Sequence, residues 1–131
     1  MRVLEYAHWL VPWLILMLGM YLLVKFGRGY LDKSIFTEHD QKRLMIFRVL
    51  MIAQSVTGLT FLVWSGLTAG FPAYRVWHGL IMFVAAVILR LSDLWKNADD
   101  STRYLNNFYV LLASFIVMLV GIALVPSTTG R

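Results

Sequence analysis

The sequence predicts an all-α integral membrane protein, an up-down-up-down bundle of four helices. Three observations predict it. Of 131 residues, 60% are hydrophobic and only 15% charged, and the mean hydropathy is +0.70; a soluble domain of this size cannot hide that much apolar surface in one core. The apolar residues gather into four runs that reach or approach the roughly 20 residues needed to cross a bilayer. The connections between them are short and polar, which makes successive helices antiparallel neighbours. Residues 1–131 therefore read as one transmembrane domain.

The first run spans residues 6–26. It is long for a cleavable signal peptide, lacks a strongly basic leader, and has no small-residue cleavage pattern after it, so it reads as a retained span. "GRGYLDKSIFTEHDQKR" follows, polar and punctuated by glycine. Thr37 with Asp40 three residues on has the form of an N-cap, so the second helix is expected to begin in solvent before its apolar run, 44–67. "TAGFPAY" is a short turn into the third run, 76–94. "KNADDSTR" connects to the fourth run, 104–125, with Ser101 or Thr102 as the expected cap. Lipid offers no partner for backbone amides, so each run must be helical.

Basic residues set the orientation. Arg2, Arg75 and Arg131 fall on the side of the N-terminus. Lys25, Arg28, Lys33, Lys42, Arg43, Arg48, Arg90, Lys96 and Arg103 fall on the other, nine against three. The side richer in Lys and Arg is expected to be cytoplasmic, with both termini outside, in a bacterial inner membrane. The formal charge of +5 thus points to topology, and nucleic acid is not an expected partner. Membrane lipids and other subunits of a membrane complex are. Cysteine is absent, which excludes disulfides, thiolate metal sites and a cysteine nucleophile.

Two histidines carry the functional expectation. His8 opens the first span and His78 the third. Both spans run inward from the same side, so the two rings should lie at similar depth near the outer face. Two imidazoles facing across a bundle are what six-coordinate haem iron requires. Gly79 gives a flat macrocycle room beside His78. Arg75, one turn earlier, is placed for a propionate, and Glu5 for the other ring nitrogen of His8. Trp9, Trp13 and Trp77 can wall a pocket, although Trp, Tyr, Arg and His also simply anchor helices at the interface. His39 falls in the polar connection and reads as solvated. Pro12 removes the donor that would reach the His8 carbonyl; the simpler reading starts the helix near Pro12 and makes it an ordinary first-turn proline. Gln54, in mid-span, needs a polar partner: a cofactor, a quinone carbonyl or a neighbouring helix. Arg48 and Arg90 are placed to reach lipid phosphates. No phosphate-binding glycine loop, intramembrane carboxylate pair or Ser-His-Asp arrangement is visible, so an enzyme acting alone is not expected.

The chain resembles a small family of four-span bacterial membrane proteins loosely labelled cytochrome b-like. The resemblance rests on His8-Trp9 opening the first span, Thr37 to Asp40 before the second, Gln54 to Gly58 within it, His78 in "WHGLIMFVAAVIL" opening the third, and Pro126 after the last. It covers almost the whole chain through short motifs. Pro12 stands where that family carries a basic residue ahead of a Trp, here Trp13. The resemblance implies haem b and electron transfer within a respiratory or photosynthetic membrane complex, with His8 and His78 as ligands. Two alternatives stand beside it: a cofactor-free accessory subunit, and a subunit binding a chlorophyll-type pigment through one imidazole.

Overall fold

The computed structural model describes residues 2–126; the expectation for Arg131 lies outside them. Four α-helices follow one another: α1 (Arg2–Leu31), α2 (Glu38–Ala69), α3 (Ala73–Ile88) and α4 (Asp100–Ala123), with a 3₁₀ segment, Leu89–Trp95, continuing α3. α1, α2, α4 and α3 together with its 3₁₀ continuation are each long and apolar enough to cross a membrane. α1 packs on α2 and α4, and α3 packs on the same two, so the helices close into a ring.

α2 and α4 begin ahead of their apolar stretches because polar residues cap them. At α2 the capping box is complete. Thr37 Oγ1 accepts from the Asp40 amide at 3.3 Å, and Asp40 Oδ2 accepts from the Thr37 amide at 3.0 Å. His39 therefore stands on the first turn of α2, where it is exposed as expected. The cap of α4 is Asp99 rather than Ser101 or Thr102: its carboxylate accepts from the Thr102 amide at 3.2 Å and from the Thr102 hydroxyl at 2.6 Å. A carboxylate accepts two donors and suits the positive helix end, so Thr102 serves as donor. Those bonds hold the Asp99 carboxyl below its ordinary range.

One end of the bundle is tightly packed. The last turns of α1 and the first turns of α2 and α4 bury Phe26, Leu44, Phe47, Tyr104 and Leu111, with Phe36 from the loop. Asp40 is only 1% exposed there. Lys25 Nζ lies 3.1 Å from its Oδ1 and Arg43 Nη1 3.4 Å. The Tyr104 hydroxyl sits 2.9 Å from both Asp40 Oδ2 and the Ile35 carbonyl and shares its proton between them. The Tyr104 ring lies on α1 at Gly29, where a Cβ would come within 2.6 Å of it. Arg103 stacks over Phe36 at 4.0 Å and donates to Gln41 Oε1 at 3.1 Å. Buried charge is tolerated because every oxygen of Asp40 has a donor.

Arg48 does not reach for lipid. Its guanidinium binds Asp93 in a two-pronged pair at 2.7 and 3.0 Å and donates to Ser92 Oγ at 3.3 Å, tying the 3₁₀ segment to α2. Arg90 is exposed, as expected. Around the bundle, Leu10, Met17, Ile52, Val63, Leu80, Phe83, Ile116 and Leu119 point outward. Such a girdle is unfavourable in water and ordinary in lipid.

Candidate functional site

The other end of the bundle holds a partly open cavity of about 330 Å³. His8, Gln54, Arg75, His78 and Gly79 all line it. These are the five residues that the sequence singles out. Pro12, Ile15, Phe61, Leu62, Met82 and Met118 supply apolar wall. The volume lies at the low end for ligand sites. Benzene fills an engineered cavity of roughly 150 Å³, so the space accepts one to two aromatic rings.

Each histidine is positioned by a backbone carbonyl that its own helix leaves free. α1 already includes His8, so Pro12 is an interior proline, not a first-turn one. The helix begins earlier than the simpler sequence reading has it because residues 2–11 carry no breaker. Pro12 has no N–H for the His8 carbonyl. The Gln54 amide fills that place, with Nε2 donating to His8 O at 3.0 Å and lying 2.9 Å from His8 Nδ1. Gln54 is 6% exposed, and its Oε1 is buried without a partner. At α4 the chain leaves the helix after Ala123, so the Gly121 carbonyl is among those with no intrahelical donor. His78 Nδ1 lies 2.8 Å from it.

These partners fix the ring protons. A carbonyl only accepts, so His78 Nδ1 carries the hydrogen and Nε2 keeps its lone pair. The Gln54 NH₂ group faces two acceptors, so His8 Nδ1 accepts and the neutral ring carries its hydrogen on Nε2. The reversed amide would set Gln54 Oε1 against the His8 carbonyl oxygen at 3.0 Å, two acceptors face to face. The two histidines therefore present opposite chemistry: His78 a lone pair, His8 an N–H.

Glycines let the rings approach. A Cβ at Gly58 would meet His8 Cε1 at 3.1 Å, so α2 yields to the His8 ring there. Phe61 lies beside that ring, nearly parallel, with centroids 6.2 Å apart. A Cβ at Gly121 would meet Met82 Sδ at 3.0 Å and Ile81 at 3.2 Å, which brings α4 within reach of His78. At Gly79 a Cβ would make only ordinary contact with Leu62, at 3.4 Å. Arg75 donates to the Tyr74 hydroxyl at 3.2 Å, its guanidinium 5.7 Å from the Tyr74 ring centroid. Among the described residues no carboxylate pairs with it.

Two expectations are corrected. Glu5 is exposed and does not hold His8; Gln54 does, from another helix. Trp9, Trp13 and Trp77 are 69%, 56% and 59% exposed and take no part in the cavity wall. Their size and polar edge suit the membrane interface better than a closed interior. Gly58 enters the sequence reading only as the end of the Gln54-to-Gly58 motif and Gly121 not at all, because small residues in spans usually mean only close helix packing.

Fold and site together define a class: a four-helix membrane-type bundle with a two-histidine cavity at one end. Comparisons with protein-family models, curated proteins and solved structures found no match.

Proposed function

We propose that the chain is an up-down-up-down bundle of a bacterial inner membrane, with both termini outside, that holds a b-type haem in the His8–His78 cavity. Its role is electron transfer within a respiratory or photosynthetic complex. The observation that carries this reading is the convergence of His8, Gln54, Arg75, His78 and Gly79 on one apolar cavity. When bound, the haem iron supplies one-electron transfer.

The residues present fit such a group in three respects. His78 has the arrangement of a ligating imidazole, Nδ1–H to a carbonyl and Nε2 free, which fixes the tautomer and raises basicity. Arg75 offers an acidic substituent a cation that no carboxylate among the described residues pairs with. The walls are largely apolar, with Ile15, Met82 and Met118 among them. The cavity is smaller than a tetrapyrrole, so part of the ring would lie outside it, against lipid or a neighbouring subunit.

The sidedness follows from nine basic residues against three. The capping box at Thr37, the Asp40 cluster and the Arg48–Asp93 pair all belong to the basic end, where polar groups find water and phosphate.

A magnesium pigment is the second reading, favoured by one observation: only one of the two histidines presents a lone pair to the cavity. Solvent extraction of protein purified from its native membrane separates the readings, since iron porphyrin and a chlorophyll-type ring differ in metal and spectrum. His78→Ala should lose either group while α-helical content is kept. Retention of the bound group in that variant would overturn both. A cofactor-free accessory role predicts an unchanged, colourless protein.

A further inference from the structure

We propose that His78 alone ligates the iron and that His8 faces the cavity as a hydrogen-bond donor, held in that role by Gln54. The inference rests on the haem reading above and departs from paired ligation by two imidazoles. With His78 as the only protein ligand, the site would also have room for a small exogenous molecule on the iron, next to the His8 N–H.

The arrangement begins at Pro12. Without its N–H, the His8 carbonyl points an unused lone pair at α2. Gln54 donates to that carbonyl at 3.0 Å and, from the same nitrogen, to His8 Nδ1 at 2.9 Å. One NH₂ group satisfies both acceptors only if Nδ1 is bare. An imidazole whose Nδ1 accepts has its hydrogen on Nε2, and a protonated nitrogen cannot ligate a metal. Turning the amide over would free Nε2 but would oppose two oxygens inside apolar surroundings, which costs the desolvation of an unpaired carbonyl as well as the lost bond. Gly58 leaves room for the ring against α2, and Phe61 lies nearly parallel to it with centroids 6.2 Å apart. His78 has the converse arrangement, and among the described residues no donor competes for its Nε2. Gln54 is a positioning residue: it acts on the ligand field only through His8.

The chain has three histidines, which makes the tautomers measurable. Imidazole ¹⁵N shifts of detergent-solubilised, histidine-labelled protein, assigned with His39→Gln and His8→Phe, read each ring directly and need no cofactor. His8 is expected with Nε2 protonated and His78 with Nδ1 protonated. A His8 ring protonated on Nδ1 would overturn the proposal. In the second arm the protein is loaded with haemin. The expected spectrum is high-spin, unchanged in His8→Phe and lost in His78→Ala, and the reduced form takes up carbon monoxide without displacing a protein ligand. A low-spin wild type that becomes high-spin in His8→Phe would overturn it. Gln54→Glu supplies an acceptor in place of the donor, moves the His8 hydrogen to Nδ1, and is expected to shift the wild-type spectrum to low-spin. Gln54→Leu serves if the carboxylate prevents assembly, and should give a mixture of spin states; a purely high-spin Gln54→Leu counts against the role of Gln54. Wild-type protein of native helicity that takes up no haemin ends the haem reading, and the ¹⁵N arm then decides the His8 donor role by itself.

Discussion

At the residue scale, Pro12 has the largest effect for its size. It sacrifices a helix hydrogen bond, frees the His8 carbonyl, and so lets Gln54 of α2 fasten on His8. An interior proline costs about 3 kcal/mol relative to alanine. Pro12→Ala should therefore raise thermal stability in detergent, by up to about that amount, and shift bound haemin partly towards low spin, because the new amide competes with Gln54 for the carbonyl and loosens its hold on His8. Parallel melting curves and haemin spectra check this; a variant more stable and still purely high-spin would sever the link between Pro12 and the site. The histidine pair was legible in the sequence, since His8 and His78 each open an apolar span, and the fold brings both to one cavity. Gln54 was legible as a polar group in need of a partner, but its partner was not: that depended on where α1 begins, and no capping signal marks the start. Glu5 looked like the natural neighbour of His8 by spacing along one helix, whereas the contact came across the bundle.

At the scale of elements, the basic end is a lock between α1, α2 and α4 around Asp40. Asp40→Ala removes a cap and several bonds to charged donors. It leaves Lys25 and Arg43, both partly exposed, free to turn to water. The expected loss is about 2–3 kcal/mol, read as a fall in melting temperature. Tyr104→Phe should cost about 1 kcal/mol. Gly29→Ala should cost about 1–3 kcal/mol, because the Tyr104 ring occupies the space a methyl would need. Stability of Gly29→Ala equal to wild type would mean that α1 and α4 are less closely packed than described. The lengths of the apolar runs predicted four spans but not the full helices. Capping extends α2 to Glu38, and Asp99 extends α4 to Asp100, because helix continues past the apolar run wherever polar side chains satisfy its end groups.

At the scale of the molecule, packing and cavity are segregated: a polar-locked, dense end opposite an end with room for a ligand. That division suits a membrane protein that must be rigid where it is anchored and open where it binds. The absence of cysteine makes the proposed orientation directly testable. Thr68→Cys, at the exposed end of α2, should react with a membrane-impermeant maleimide on intact cells. Ser34→Cys, in the loop between α1 and α2, should react only after permeabilisation. The reverse pattern would invert the topology and put the histidine cavity on the cytoplasmic side. Composition made the membrane class legible at once, because transfer of apolar surface depends on amount alone. The cavity was not legible, because it depends on how four helices fail to fill one end.

The central claim is that a chromophore sits in the cavity on His78. The most direct measurement is the oxidised and reduced absorption spectrum of protein purified from its native membrane, taken beside His78→Ala expressed to the same level. The account predicts haem absorption in the wild type that changes on reduction with the broad bands of high-spin iron, and no haem absorption in the variant. A colourless wild type with intact helices, or bands that survive the loss of His78, would contradict it.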